Sequence, residues 1–339
     1  MDIEFHYYIT YIIALKAGFK SDEAYKIAYS SQFVDDNTAE FKIGKETPDE
    51  YGNYISQTSD ITKPEKNLMR IYPVFHFMPG NKDEIEHDGA MRRDGKFHIL
   101  NTIPDNSNSR AVLKEALNTK DLYRIGIATH MYADTFAHQN FIGYYESCNG
   151  KIRGDTLLEK IIPNIGHADF QHNPDQPANI WQDTRLIRKN SNIDNKARFL
   201  KATECIFEHY RLYLDPQCPQ SVIDQEKGAL IADIEKLIGD HDSNNEESPN
   251  RIAGYKEFIK NMNSGKFIEY EENAWFNEAI DKNFIASIPL INGWGTYKWK
   301  TGHKESDWYK FQEAVKTHQW FVMENIINPI TANLELERM

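Results

Sequence analysis

Asp121-Leu-Tyr-Arg-Ile-Gly-Ile-Ala-Thr-His130-Met-Tyr-Ala-Asp134-Thr-Phe-Ala-His138-Gln-Asn-Phe141 is the stretch whose reading decides the fold. No proline interrupts it, and Ile125, Ile127, Ala128, Met131, Ala133 and Ala137 leave most of its surface apolar or small. That is the pattern of a helix buried inside a protein. At about 3.6 residues per turn, positions 130, 134 and 138 fall within roughly 80° of one another. Two imidazoles and a carboxylate therefore share one stripe and face one place. Buried His and Asp need partners, either hydrogen bonds in a polar core or a cation. Three such residues in register favour the cation. Imidazole nitrogen and carboxylate oxygen suit Zn²⁺, and an Asp between two His can bridge two ions because it has two oxygens. Eight of the twelve histidines lie at or before His172, which places a ligand-rich centre in the first half.

Working outward, residues 4–17 read as a first helix closed by Gly18. Ser21 caps a second, with Asp22 and Glu23 in its first turn and an end near Asp35 and Asp36. Residues 37–64 read as loop with room for a short hairpin. His76 sits among Ile71, Val74, Phe75 and Phe77, a charged surface excursion follows to Asp94, and residues 110–117 form a short helix. Residues 143–179 are turn-rich around a helical piece at 156–162. From residue 194 on, amphipathic helices are expected at 194–214, 220–239, 249–263, 267–283 and 305–328. The class is all-α, a multi-helical core with additional C-terminal helices. Residues 1–193 would form a metal-binding catalytic core, and 194–339 a helical scaffold or lid packed on it.

The 339 residues are 40% hydrophobic and 27% charged, which suits an ordered globular chain. A net charge of -12 argues against holding duplex nucleic acid by the overall field. The start, Met-Asp-Ile-Glu-Phe-His, lacks the features of a secretory signal, and residues 7–15, the longest apolar-rich run, are too short to span a bilayer. A cytoplasmic location is expected. Cys148, Cys205 and Cys218 lack the close spacing of thiolate zinc sites, so any metal falls to His and carboxylates.

The helix with His-x-x-x-Asp, together with a downstream His, an N-terminal His and an earlier Asp and His, resembles the zinc-dependent phospholipase C and single-strand nuclease superfamily. Those are all-α enzymes with a three-zinc cluster. The chain is also similar to an uncharacterised bacterial domain family of that clan, through Phe5 to Tyr8 and His130 to Gln139. The resemblance covers about residues 1 to 185. It implies that His130 and Asp134 bind a first Zn²⁺ with His76 and with Asp35 or Asp36. Asp134 would bridge to a second ion shared with His6, and His138 would open a third site. The superfamily completes that site with a His followed four residues on by a carboxylate, whereas His167 is followed by Gln171. Asp169, His172 and Asp175 are the substitutes, with Asp175 preferred. Superfamily members also use the amine of a newly exposed first residue. Met1 is not expected to serve, and Asp2 or Glu4 would replace it, or the chain would hold two ions rather than three, with Mn²⁺ or another divalent ion as substitutes for Zn²⁺.

The implied chemistry is hydrolysis of a phosphodiester or phosphate ester, from a small or oligomeric substrate, by a metal-activated water. Asp134 and Asp36 are the residues expected to carry catalysis. No Gly-x-Ser-x-Gly, His-Glu-x-x-His or phosphate-binding Gly-rich loop competes with this reading. Arg92, Arg93 and Lys96 read as solvated charge, and His209 and His318 as ordinary helix residues. One rival is an HD-type phosphohydrolase, prompted by His87-Asp88 and His241-Asp242. Another is a non-enzymatic helical interaction protein with a structural metal, offering Trp275-Phe276 and Trp320-Phe321 as partner surfaces.

Overall fold

The first helix opens in a wider register than an α-helix. Glu4–Ile9 winds as a π-helix and Thr10–Ala17 continues as α-helix, together α1, ended by Gly18 at a left-handed φ of 113°. π-turns are rare and cluster where a side chain must be re-aimed, and this one carries His6. The computed structural model describes residues 1–58, 68–95, 98–150, 165–283 and 296–332. The expected helical piece at 156–162 and Lys96 lie outside them.

Helix α2, Ser21–Asp36, has Ser21 as its first helical residue rather than its cap. The Glu23 carboxylate there accepts the Lys20 N–H at 2.9 Å. Strands β1, Lys42–Ile43, and β2, Tyr51–Gly52, make the short antiparallel hairpin for which residues 37–64 left room. Then come α3, Tyr72–Phe75, and α4, Lys82–Asp88. Helix α5, Ser107–Thr119, outruns its expected bounds, and α6, Leu122–Ala137, is the motif helix. An antiparallel pair, β3 at Ile180–Gln182 and β4 at Asn192–Asp194, leads into the C-terminal helices. These are α7, Asn195–Leu214, α8, Gln220–Ile238, and α9, Ser248–Met262.

The helix expected at 267–283 is not formed as such. Only Ala274–Ala279 is helical, as α10, and β5, Ile280–Asn283, follows it. Tertiary contacts override propensity here. The Tyr29 hydroxyl donates to the Glu271 carbonyl at 2.7 Å, tying the segment before Ala274 to α2. Trp275 stacks on Tyr29 at 3.8 Å, and β5 pairs antiparallel with β6, Thr296–Trp299. Because β6 runs parallel to β1, a four-stranded sheet in the order β2-β1-β6-β5 joins the two ends of the chain. Helix α11, Asp307–Val322, continues through a π-turn at Met323–Ile327 into α12, Asn328–Thr331.

The protein is thus mainly helical with little sheet. Helix α6 lies at the centre with α2, α5, α7 and α11 packed around it. One continuous apolar core runs from Met1 to Ile327 and draws on residues on both sides of position 194. Trp275 and Phe276 belong to that core, whereas Trp320 is 65% exposed. Among the described residues no helix is long and apolar enough to cross a membrane.

Candidate metal centre

Helix α6 starts where the Asp121 carboxylate accepts the N–H groups of Tyr123 at 2.9 Å and Arg124 at 3.3 Å. Every residue from Tyr123 to Ala137 is buried. Gly126 sets its distance from α2, since a Cβ there would lie 2.5 Å from the Ile27 carbonyl oxygen and from the Ser30 Cβ. This close approach brings the Ser31 carbonyl to His130, whose Nδ1–H donates to it at 2.8 Å, and sets Asp35 beside the same ring. His76, at the end of α3, reaches the cluster from the other side. His138 caps the C-terminus of α6 with its ring stacked on Phe77 at 4.5 Å. Gly166, at φ 50°, lets the loop carrying His167 close over Phe77, where a Cβ would meet the ring at 2.5 Å.

Asp134 is the hub. Its Oδ1 lies 3.2 Å from His6 Nε2, and its Oδ2 lies 3.2 Å from both His76 Nδ1 and His130 Nε2. Asp35 completes that side, 3.8 Å from His76 Nδ1 and 3.7 Å from His130 Nε2. On the other side Asp175 sits 3.0 Å from His138 Nε2 and 3.3 Å from His167 Nε2. The fully buried α-amine of Met1 lies between the two carboxylates, hydrogen-bonded to Asp134 and 3.3 Å from Asp175. Among the described residues three sets have ligand atoms close enough to hold a cation: His6, His130 and Asp134; Asp35, His76 and His130; and His138, His167 and Asp175.

The ring orientations carry the chemistry. His76 donates Nε2–H to the Ser56 carbonyl at 2.9 Å, and His130, His138 and His167 each donate Nδ1–H at 2.8 Å, to the carbonyls of Ser31, His76 and Gln171. A carbonyl only accepts, so each bond fixes the tautomer of the neutral ring and turns its other nitrogen inward. The remaining nitrogens of His76 and His130 then face each other at 3.1 Å, with the Asp134 carboxylate 3.2 Å from both. Metal-binding histidines are commonly held this way by a backbone carbonyl.

Burial and charge pull the titrations apart. Burial, the His130 ring and the Met1 amine hold His6 well below the usual imidazole range. Burial also pushes His167 down to about 4, despite Asp175 beside it. His76 is raised, because the hydrogen bond to Asp134 and the charge of Asp35 outweigh its burial. Asp134 and Asp175 stay well below the carboxylate range, the neighbouring histidines and amine overcoming burial, whereas burial raises Asp35. The Met1 amine is raised to about 11, its burial outweighed by Asp134 and Asp175. The cluster forms the floor of a cleft of about 510 Å³, walled in part by Tyr72, Phe77 and Ile165.

The structure therefore brings together His6, Asp35, His76, His130, Asp134, His138, His167 and Asp175. It does not bring Asp36. That carboxylate accepts from the Tyr270 hydroxyl at 2.5 Å and Gln32 Nε2 at 3.1 Å, because neighbouring positions on a helix point about 100° apart. Asp36 is corrected from ligand and catalytic candidate to a structural acceptor. Neither Asp2 nor Glu4 replaces the amine: Asp2 Oδ1 accepts the Glu4 N–H at 3.1 Å, and Glu4 is paired with Arg251. The Met1 amine, not expected from the sequence to serve, lies in the cluster, and the carbonyls of Ser31, Ser56, His76 and Gln171 were missed, since a backbone group leaves no mark in residue identity.

The other candidates are engaged elsewhere. His318 is a core histidine stacked on Phe75 at 5.2 Å, and His209 lies edge-on to Tyr132. Arg92 pairs with Asp94 at 2.7 Å and donates to the Cys148 carbonyl, and Arg93 donates to the Leu186 carbonyl, so neither is simply solvated charge. His87 and Asp88 end the surface helix α4 rather than lying in a loop, and His241 and Asp242 bond to Ala178 and Arg251.

Fold and site together define a mainly helical protein with a buried His and Asp cluster open to a cleft. A model described as a family of unknown function, DUF6765, matches residues 1–326, and the chain belongs to that family. No curated protein and no solved structure matches it.

Proposed function

We propose that the chain is a metal-dependent hydrolase of the zinc phospholipase C and nuclease type, acting on phosphodiester or phosphate ester bonds. The observation that carries this reading is the set of four imidazoles, each using one ring N–H on a backbone carbonyl and aiming its other nitrogen at a carboxylate or at another ring nitrogen. Those inward-facing nitrogens, once unprotonated, would be the ligands of a cation. His and Asp donors suit Zn²⁺. Asp134 touches two of the ligand sets and would serve as the bridge. His138, His167 and Asp175 would hold a further ion, with the Met1 amine within reach.

A group of divalent ions supplies Lewis acidity and a nucleophilic water at neutral pH. The chain's own residues place the substrate: Phe77, Tyr72 and Ile165 wall the cleft with apolar surface, and the cleft leaves one side of the cluster open. A purely structural zinc site is closed by four ligands, so this opening favours catalysis over a structural metal in an interaction protein. The HD-type alternative loses support, because His87-Asp88 is exposed at the end of a surface helix and His241-Asp242 is bonded to Ala178 and Arg251.

The test is zinc content by plasma mass spectrometry on protein purified without chelator, followed by hydrolysis of bis(p-nitrophenyl) phosphate. Two or three ions per chain and activity abolished in Asp134→Asn support the proposal. Protein that stays empty after incubation with Zn²⁺ or Mn²⁺ refutes it.

A further inference from the structure

Glu4 is fully buried on the same π-turn as His6, two residues away. Its carboxylate is gripped from α9. Arg251 donates Nε–H to Oε2 at 2.8 Å and Nη2–H to Oε1 at 2.9 Å, and the Ser248 hydroxyl donates to Oε1 at 2.6 Å. Arg251, 5% exposed, also gives Nη1–H to Asp242 at 2.9 Å. The Asp242 N–H and His241 Nδ1–H both reach the Ala178 carbonyl at 2.9 Å, three residues past Asp175. The ring closes where the Asp2 N–H donates to the Asp175 carbonyl at 3.2 Å. One guanidinium from the C-terminal helices thus ties together the two segments that carry His6, the Met1 amine and Asp175.

A buried ion pair gains little net stability once desolvation is counted. What a two-pronged guanidinium–carboxylate contact does provide is a fixed geometry. We propose that Arg251 is a positioning residue for the metal centre: through Glu4 it fixes the π-turn, and through Asp242 the loop of Asp175, so that ions bind tightly only when the C-terminal helices are docked. This rests on the metal-centre reading above.

The experiment compares Zn²⁺ affinities, by competition with a chromophoric chelator, in the wild-type chain, a Glu4→Met/Arg251→Met double variant and Lys16→Met. The double variant removes both charges and leaves neither buried alone. Lys16 pairs with Asp233 at 2.9 Å, joining the same helix to α8 away from the site, and controls for the loss of any bridge between the two halves. Amide hydrogen exchange is measured in parallel on the metal-free proteins. The double variant is expected to stay folded by circular dichroism and to lose about 10- to 100-fold in affinity for at least one ion, as for other residues supporting metal ligands. Residues 1–9 and 172–179 should exchange faster in it while α6 does not, and Lys16→Met should match the wild type in affinity. Affinities within twofold of wild type, with unchanged exchange at residues 1–9, overturn the proposal, as does an equal loss in Lys16→Met. A wild-type chain that takes up no Zn²⁺ overturns the metal reading instead, and is told apart by that first measurement.

Discussion

Asp134→Asn removes one charge from the hub and keeps its shape. The wild-type carboxylate lies within 3.2 Å of ring nitrogens of His6, His76 and His130 and hydrogen-bonds the Met1 amine. Apparent binding free energies of about 10–16 kcal/mol for four-ligand zinc sites give about 3 kcal/mol per ligand. Losing an anionic ligand should therefore weaken an ion by about 100-fold. Because the two oxygens of Asp134 face different ligand sets, two ions should weaken together. Chelator competition followed by plasma mass spectrometry reads both effects, and circular dichroism checks the fold. In the metal-free protein the His76 titration should also move down, because the charge and hydrogen bond of Asp134 hold it up, and proton NMR follows it. A variant with wild-type ion content, affinities within threefold and an unmoved His76 refutes Asp134 as a bridge.

Asp36→Asn should leave zinc content unchanged and cost about 1–2 kcal/mol in urea unfolding, the value of weakened hydrogen bonds from Tyr270 and Gln32 to a charged group. The neighbouring Asp35→Asn should instead weaken Zn²⁺ by at least about tenfold, and the reverse ranking would show that the wrong carboxylate has been assigned. In the metal-free protein, His167 is held near 4 when folded against 6.5 in its absence. The unfolded chain therefore binds the extra proton between those values, and stability is present above about 6.5 and lost as pH falls toward 4. The loss should be about 2 kcal/mol by pH 5, read as the difference in urea midpoints between wild type and His167→Asn, and parallel pH profiles would exclude it. Gly126→Ala forces a Cβ against the α2 backbone and should destabilise by about 1–3 kcal/mol and weaken Zn²⁺. A variant with wild-type stability and zinc affinity would mean that the α2–α6 spacing is not tightly set.

The motif helix and its ligand stripe were legible because both follow from a local period: a spacing of four on an uninterrupted helix puts His130, Asp134 and His138 on one face in any fold. The helices at 194–214, 220–239 and 249–263 were legible for the same reason, each burying one apolar stripe. Asp35 against Asp36 was not, because adjacent carboxylates differ only in which one meets α6, and the contact of α2 at Gly126 settles that. The π-turn around His6 and the pairing of β1 with β6 depend on residues about 250 positions away in the chain, and β5 replaces a helix because β6 pairs with it and Tyr29 holds the segment before it. Sequence by itself determined which side chains could bind and where local helices form, since both are set within a few turns. The tertiary structure alone decided which nitrogens face inward, since that depends on the carbonyls of Ser31, Ser56, His76 and Gln171, backbone groups that every sequence carries and only packing can place.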